Sequence, residues 1–284
     1  CDMLDRVQTS SETAVQPRFR AQRRPEERVR LLGGAVDLVK AAEVFHFALS
    51  RIRAGRRAVI GNHNLHSLHL MRASDKMRRF FALADLVQVD SVPLILWARI
   101  FGRRSRLFHR CTYLDWRDEF WAWTVRNDLK VFFVGGRPGV AERAIETIRR
   151  DWPQARVGVH HGYFDLSQGA EDGAAVLERI AGFKPDVLLV GLGMPVQEAW
   201  VVDHLEALPH CAIFTVGGAF DYEAGVQAPC PRWAGRLGLE WLFRVLTNPR
   251  LLPRYALEPW RLVGPALADL ATAAKLTPSG RRAR

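Results

Sequence analysis

Short unbroken apolar runs alternate along this chain with longer stretches in which apolar residues recur every three or four positions. Residues 187–190 are such a run and read as a strand buried on both faces; residues 57–60, 86–89, 130–134 and 211–216, each mostly apolar, read as further strands, and residues 157–165 supply one more. Helical spacing fills 36–53, the segment after GNHN, the segment opened by Pro93, 113–129, the segment running to Arg150, and the segment after Pro195. Strand and helix in regular alternation predict an α/β fold, a Rossmann-like, mostly parallel sheet with helices on both faces. Residues 31–227 form this core.

Two flanks depart from the pattern. Residues 1–30 are polar and arginine-rich without periodicity, and predict a poorly ordered basic arm. After Gly225 the alternation stops. Residues 228–275 interleave Arg232, Arg236, Arg244, Arg250, Arg254 and Arg261 with Trp233, Trp241, Phe243, Tyr255 and Trp260, and end in an apolar helix. This segment predicts a C-terminal helical appendage whose rings and guanidinium groups suit an acidic interface, with a solvated capping subdomain as the plainer reading. Residues 276–284 read as a tail.

Charge sharpens the picture. There are 41 basic against 30 acidic residues, a formal charge of +11, and such a surplus favours an anionic partner. The 4 cysteines include no CxxC pair, which indicates neither a zinc site nor a disulfide framework and suits a reducing compartment. No N-terminal apolar segment resembles a signal peptide, and no run reaches the roughly 18 residues a membrane-spanning helix needs. Membrane, if involved, is expected to be met from the cytoplasmic side.

Candidate chemistry gathers at strand ends. Gly191 and Gly193, between a strand and a helix, let backbone N–H groups approach a phosphate, and Gln197 and Glu198 fall in the first helical turn, facing that ligand. Gly135, Gly136 and Gly139 make a second junction of this kind, expected on the same sheet edge. Asn62 and Asn64 stand where a strand meets a helix and read equally as helix caps or ligand contacts. Asp90 ends a strand, where chemistry sits in open α/β sheets, and its carboxylate can take a proton from a hydroxyl. His63, His66 and His69, at steps of three, span about 120° of a helix and do not converge on a metal. His160 and His161 are neighbours in a strand and are expected to point apart.

Several ordered motifs together carry a family resemblance. VGLGMPVQEAW, then VGGAFDYEAG, then GLEWLFRVLTNPRLLPRY, preceded by GNHN, ADLVQVD, RCTYLD and VFFVGGRPGVAERA, resemble the WecG/TagA/CpsF glycosyltransferases over roughly residues 34 to 262. The resemblance implies an inverting, metal-independent transfer of a hexose or N-acetylhexosamine from a UDP-sugar to a polyprenyl-diphosphate-linked saccharide, in cell-surface or exopolysaccharide synthesis. It implies a peripheral enzyme on the inner face of the cell membrane, without cofactor or nucleic acid, and leaves self-association open. Residue by residue, it makes Asp90 the general base and places Asn62, Asn64, Arg110, Asp115, Gln197, Glu198, Asp221, Arg244, Arg250 and Arg254 at the substrates. The sequence departs from the family pattern at Asn62, Ser91, Tyr113 and Gln227, which bears on the donor sugar and on activity itself.

With no DxD pair for a metal, arginines are expected to neutralise the departing diphosphate. Three other readings stand beside this one. A dinucleotide oxidoreductase requires an acidic ribose-binding residue where the sequence places His160. A basic nucleic-acid binder accounts for the charge but not for the Gln-Glu and Phe-Asp motifs, and a catalytically degenerate membrane-associated scaffold is the third.

Overall fold

The computed structural model describes residues 28–276, apart from 102, 104, 168 and 169. The expectations for residues 1–27 and for the tail from 277 lie outside the described residues. Six strands, β3 (Ala58–His63), β4 (Leu86–Val89), β5 (Lys130–Gly135), β6 (Arg156–His160), β7 (Val187–Gly191) and β8 (Ala212–Thr215), form one sheet in the order β4-β3-β8-β7-β5-β6. Every pairing in it is parallel. Parallel strands must be covered on both faces, and β4 and β8 are buried at every position.

Alternate side chains feed two cores. Ile60, Leu189 and Phe214 join the layer built from α1 (Ala41–Arg53), α5 (Tyr113–Arg126), α6 (Val140–Asp151) and α9 (Ala219–Glu223). Val59, Leu188 and Ile213 join the opposite layer, from α2 (Leu65–Ala73), α3 (Asp75–Leu83), α4 (Val92–Ile100), α7 (Glu171–Phe183) and α8 (Val196–His204). The expected Rossmann-like three-layer arrangement is therefore observed. In α5, Trp116, Phe120 and Trp123 recur at i, i+4 and i+7 and are buried, with Trp123 stacked on Phe45 at 5.2 Å. Each such side chain contributes about 1.5–3 kcal/mol on burial.

The sheet is tightest where β5, β7 and β8 end. A Cβ on Gly135, whose φ is +153°, would lie 2.4 Å from the Gly191 carbonyl oxygen, and one on Gly191 would lie 2.6 Å from that of Gly217. Only glycines allow these strand ends to come so close. The two glycine junctions stand side by side as expected, with Gly135 paired to Gly191.

Four expectations need correction. Residues 28–30 are not part of an unstructured arm: Arg28–Leu31 is β1, paired antiparallel with β2 (Gly34–Asp37). Its alternation of exposed arginine with buried Val29 and Leu31 is a half-buried strand pattern, and the Leu32–Gly33 turn, with both residues at positive φ, closes the hairpin. The helix expected from residue 36 consequently starts at Ala41. The strand expected over 157–165 ends at His160, and the rings of His160 and His161 do not point apart but meet at 4.5 Å, because the chain leaves the sheet between them.

Beyond α9 the chain forms α10 (Arg232–Arg236), α11 (Glu240–Thr247), α12 (Leu252–Arg261) and α13 (Val263–Leu276). α12 packs on α2 and α13 on β1. The Asp269 carboxylate of α13 accepts from the Leu32 N–H at 2.7 Å and from the Trp97 indole at 2.9 Å. These helices thus return across the carboxyl edge of the sheet.

Candidate active site

The carboxyl edge is built from four strand ends. At the end of β3, Asn62 donates its amide to the Thr215 carbonyl at 3.0 Å, tying β3 to β8, and the Asn64 side chain accepts from the Ser67 N–H at 3.0 Å, capping α2. Asn64 is thus the cap that its place suggested, whereas Asn62 caps no helix and joins two strands. β4 delivers Asp90, whose N–H donates to the His63 carbonyl at 2.8 Å. β7 runs out through Gly193, and β8 through Gly217 and Gly218.

The appendage supplies the remaining walls. Arg244 donates to Glu240 at 2.7 Å and to the Tyr222 hydroxyl at 3.1 Å. Buried Arg110 reaches the Gly235 carbonyl at 3.0 Å, Asp115 at 2.8 Å and Glu240 at 3.4 Å, fastening α10 and α11 to the core. Two clefts result, each of about 320 Å³. One is bordered by the glycine turns Gly193, Gly217 and Gly218 together with Thr112 and Tyr222. The other is bordered by Val92, Pro93, Trp241, Tyr255 and Pro259. Asn64, His66, Asp90, Glu240, Arg244 and Arg254 line both.

Among the described residues, the carboxyl groups of Asp90 and Glu198 have their pKa raised furthest, and the one that lines the clefts is Asp90. Burial raises its pKa to about 7, Glu240 adds to the rise, and Arg244, Arg110 and a hydrogen bond from Asn64 oppose it. A carboxylate so poised is a far better base than an exposed aspartate, whose pKa is about 3.9. Arg244 and Arg254 put two guanidinium groups in the same walls, suited to phosphate oxygens.

The structure brings together Asn62, Asn64, Asp90, Gly193, Gln197, Arg244 and Arg254 in the first cleft and places Arg110 in the second. Gly135, Gly136, Gly191, Asp115, Glu198, Asp221 and Arg250 line neither. Gly135 and Gly191 serve the close approach of strand ends, and Gly136 takes a positive φ in the turn after β5. Asp115 is held between Arg110 and Arg232, a tie between α5 and α10. Asp221 closes its own loop, its carbonyl accepting from Val226 at 2.9 Å and Gln227 at 3.0 Å. Arg250 is exposed outside both clefts.

The Gln-Glu pair divides. Both side chains are fully buried, at 0% exposure; Gln197 lines the first cleft, and Glu198 lines neither. Gln197 donates to Glu198 at 2.8 Å and accepts from the Gly217 N–H at 3.0 Å, which clamps the glycine turn of β8. Gln197 reaches the cleft wall while its amide is already engaged, and burial raises the Glu198 pKa to about 7.

The three spaced histidines take three separate partners: His63 stacks on Phe81 at 3.7 Å, His66 meets Glu258 at 2.7 Å, and His69 accepts from Arg261 at 3.0 Å. Thr112, Tyr222 and Glu240 line the first cleft without having been singled out, and so do His66, weighed in the sequence only as a metal ligand, and Gln227, named there only as a departure from the family pattern. Glu240 carried one signal, its position four residues before Arg244 on a helix.

The fold and the edge site define a class: an open α/β fold whose clefts lie outside the carboxyl ends of its strands, beneath a helical cover. Residues 29–275 match the model of the Glycosyl transferase WecG/TagA/CpsF family, and the chain belongs to that family. It is also similar to the N-acetylglucosaminyldiphosphoundecaprenol N-acetyl-beta-D-mannosaminyltransferases of Staphylococcus aureus strains NCTC 8325 / PS 47 and COL. Each is 32% identical over 151 residues, covering 53% of this chain and 58% of the relative. The chain thus spans a little over half the length of the curated relatives it matches.

Proposed function

We propose that this protein is an inverting, metal-independent glycosyltransferase, moving a hexose or N-acetylhexosamine from a UDP-sugar to a polyprenyl-diphosphate-linked saccharide at the inner face of the cell membrane. The observation that carries the proposal is the position of Asp90: a half-buried carboxylate, its pKa raised to about 7, in the wall common to two clefts and accompanied there by Arg244 and Arg254. The names of the relatives, which specify a diphosphoundecaprenol-linked acceptor and transfer of an N-acetylated hexosamine, support the substrate class.

The donor's diphosphate lies along the glycine turns of the first cleft, where backbone N–H groups meet its oxygens. An acceptor hydroxyl attacks the anomeric carbon from the opposite side while its proton passes to Asp90. The new glycosidic bond forms as the bond to UDP breaks, and its electron pair leaves with the β-phosphate oxygen. Arg244 and Arg254 neutralise the charge that develops there. Charge-assisted contacts of this kind contribute about 1.5–3 kcal/mol each.

UDP release, measured with a panel of UDP-sugars and a polyprenyl-diphosphate saccharide in liposomes, tests the reading. Acceptor-dependent release that persists in chelator and falls about 10²- to 10⁴-fold in Asp90→Asn is expected. Equal release by the variant would remove Asp90 as the base.

A further inference from the structure

The second cleft has no part in donor binding as described above, and its lining differs in kind. In place of the Gly193, Gly217 and Gly218 turns it presents apolar surface: Val92 and Pro93 from the start of α4, Trp241 from α11, and Tyr255 and Pro259 from α12. The indole of Trp241 and the ring of Tyr255 lie 6.3 Å apart and 49° from parallel, forming an angled pair. Trp241 is 45% exposed, so much of its ring has no protein neighbour. The Arg254 guanidinium sits 5.6 Å from the Tyr255 ring centre, which sets a cation directly beside the aromatic surface.

We infer that this cleft seats the saccharide-diphosphate head of the acceptor, and that Trp241 and Tyr255 are the surfaces against which its sugar ring rests, making them residues that select the acceptor. The inference rests on the transferase reading, and three observations carry it. Displacement from opposite sides of a carbon needs two compartments that meet at the base, and these two clefts share Asp90. A pyranose ring has an apolar C–H face edged by hydroxyl groups, which matches an aromatic ring flanked by hydrogen-bonding groups; His66 and Glu258 line this same cleft. An acceptor whose sugar is joined to a diphosphate requires an apolar platform and a cation side by side, and Tyr255 with Arg254 supplies that combination.

The test compares Trp241→Ala, Tyr255→Ala and Trp241→Phe with wild type. It uses transfer kinetics, together with calorimetric binding of a short-chain prenyl-diphosphate N-acetylglucosamine in the presence of UDP. Losing an aromatic surface is expected to raise the acceptor KM and the analogue Kd by about 10- to 200-fold, in the range of lost apolar pocket contacts, while the donor KM stays within about twofold. Trp241→Phe, which keeps a ring, is expected to recover most of the loss. A rise in donor KM alone would assign the cleft to the donor and overturn the inference. Unchanged acceptor KM and unchanged analogue binding would overturn it as well. A wild-type protein that binds the analogue through Trp241 without transferring sugar from any donor would instead refute the transferase reading and leave the acceptor seat standing.

Discussion

Nδ1 of His66 lies 2.7 Å from Oε1 of Glu258, joining α2, which Asn64 caps, to α12, which carries Arg254. Both side chains are largely buried, and Arg254 extends toward the other oxygen of Glu258 at 3.7 Å. One carboxylate therefore registers the appendage against the core and orients a cleft arginine. Glu258→Ala is expected to lower kcat/KM about 10- to 100-fold, since displacing a catalytic group by about 1 Å has effects of that size. Glu258→Gln keeps an oxygen for His66 and should lose less. Steady-state kinetics of the two variants check the order.

The raised pKa of Asp90 fixes the direction of a pH effect. A base must be ionised to act, so kcat/KM is expected to climb with pH and level off above about 7. Stability runs the other way. The folded state holds the Asp90 proton more tightly than the unfolded chain, whose value is near 3.8, so Asp90 costs stability increasingly as pH rises between 3.8 and about 7. Asp90→Asn should therefore be inactive yet melt higher than wild type at pH 8, by about 2–4 °C for each kcal/mol relieved, with the difference vanishing below pH 4. Thermal melts at both pH values decide this. An equal melting temperature at pH 8 would mean that Asp90 is not strained by ionisation.

Glu198 has a similar titration but a different role. Its carboxylate accepts from Gln197, which in turn holds the Gly217 N–H. Glu198→Ala strands a buried amide and is expected to cost about 1–3 kcal/mol. Glu198→Gln preserves an acceptor and removes the penalty of ionising a buried acid, so urea denaturation at pH 8 should find it at least as stable as wild type. Donor KM should rise in Glu198→Ala, because the glycine turn bordering the first cleft loses its clamp.

Much of this architecture was legible in the chain. Residues 86–89 and 187–190 are strands covered on both faces, each with four buried positions in succession. Gly191, which ends the second, marks a close approach. A strand-end position marked Asp90, and the family resemblance marked Arg244 and Arg254. Neither separated residues in the cleft from those that build its walls: Glu198 and Asp115 sit within motifs, yet each spends its carboxylate on a protein partner. Hydrogen bonding across the fold decides that, and no local pattern encodes it. The hairpin at Arg28–Leu31 escaped because four residues with alternating arginines also resemble a basic arm. Trp241 and Tyr255 read as interface aromatics, whereas the fold of α11 and α12 over the sheet edge turns them toward Asp90's second cleft.

The remaining surface of the appendage bears on where the protein works. Trp233 is 65% and Trp260 75% exposed, Leu246 is 73% exposed, and Arg250 and Arg261 are exposed among them. Among the described residues no helix is long and apolar enough to cross a membrane. Exposed indoles and leucines interspersed with arginines instead suit shallow insertion at an anionic lipid surface, where each arginine near the headgroups adds about 1 kcal/mol. The protein is therefore expected to sediment with vesicles containing phosphatidylglycerol and much less with neutral ones, and added salt should release part of the bound fraction as the charges are screened. Replacing Trp233, Leu246 and Trp260 together by serine should reduce the partition coefficient at least about tenfold. The melting temperature should barely change, because solvent already covers these side chains in the folded protein. Equal binding to neutral and anionic vesicles, or binding that the triple variant retains, would place the membrane contact elsewhere on the molecule.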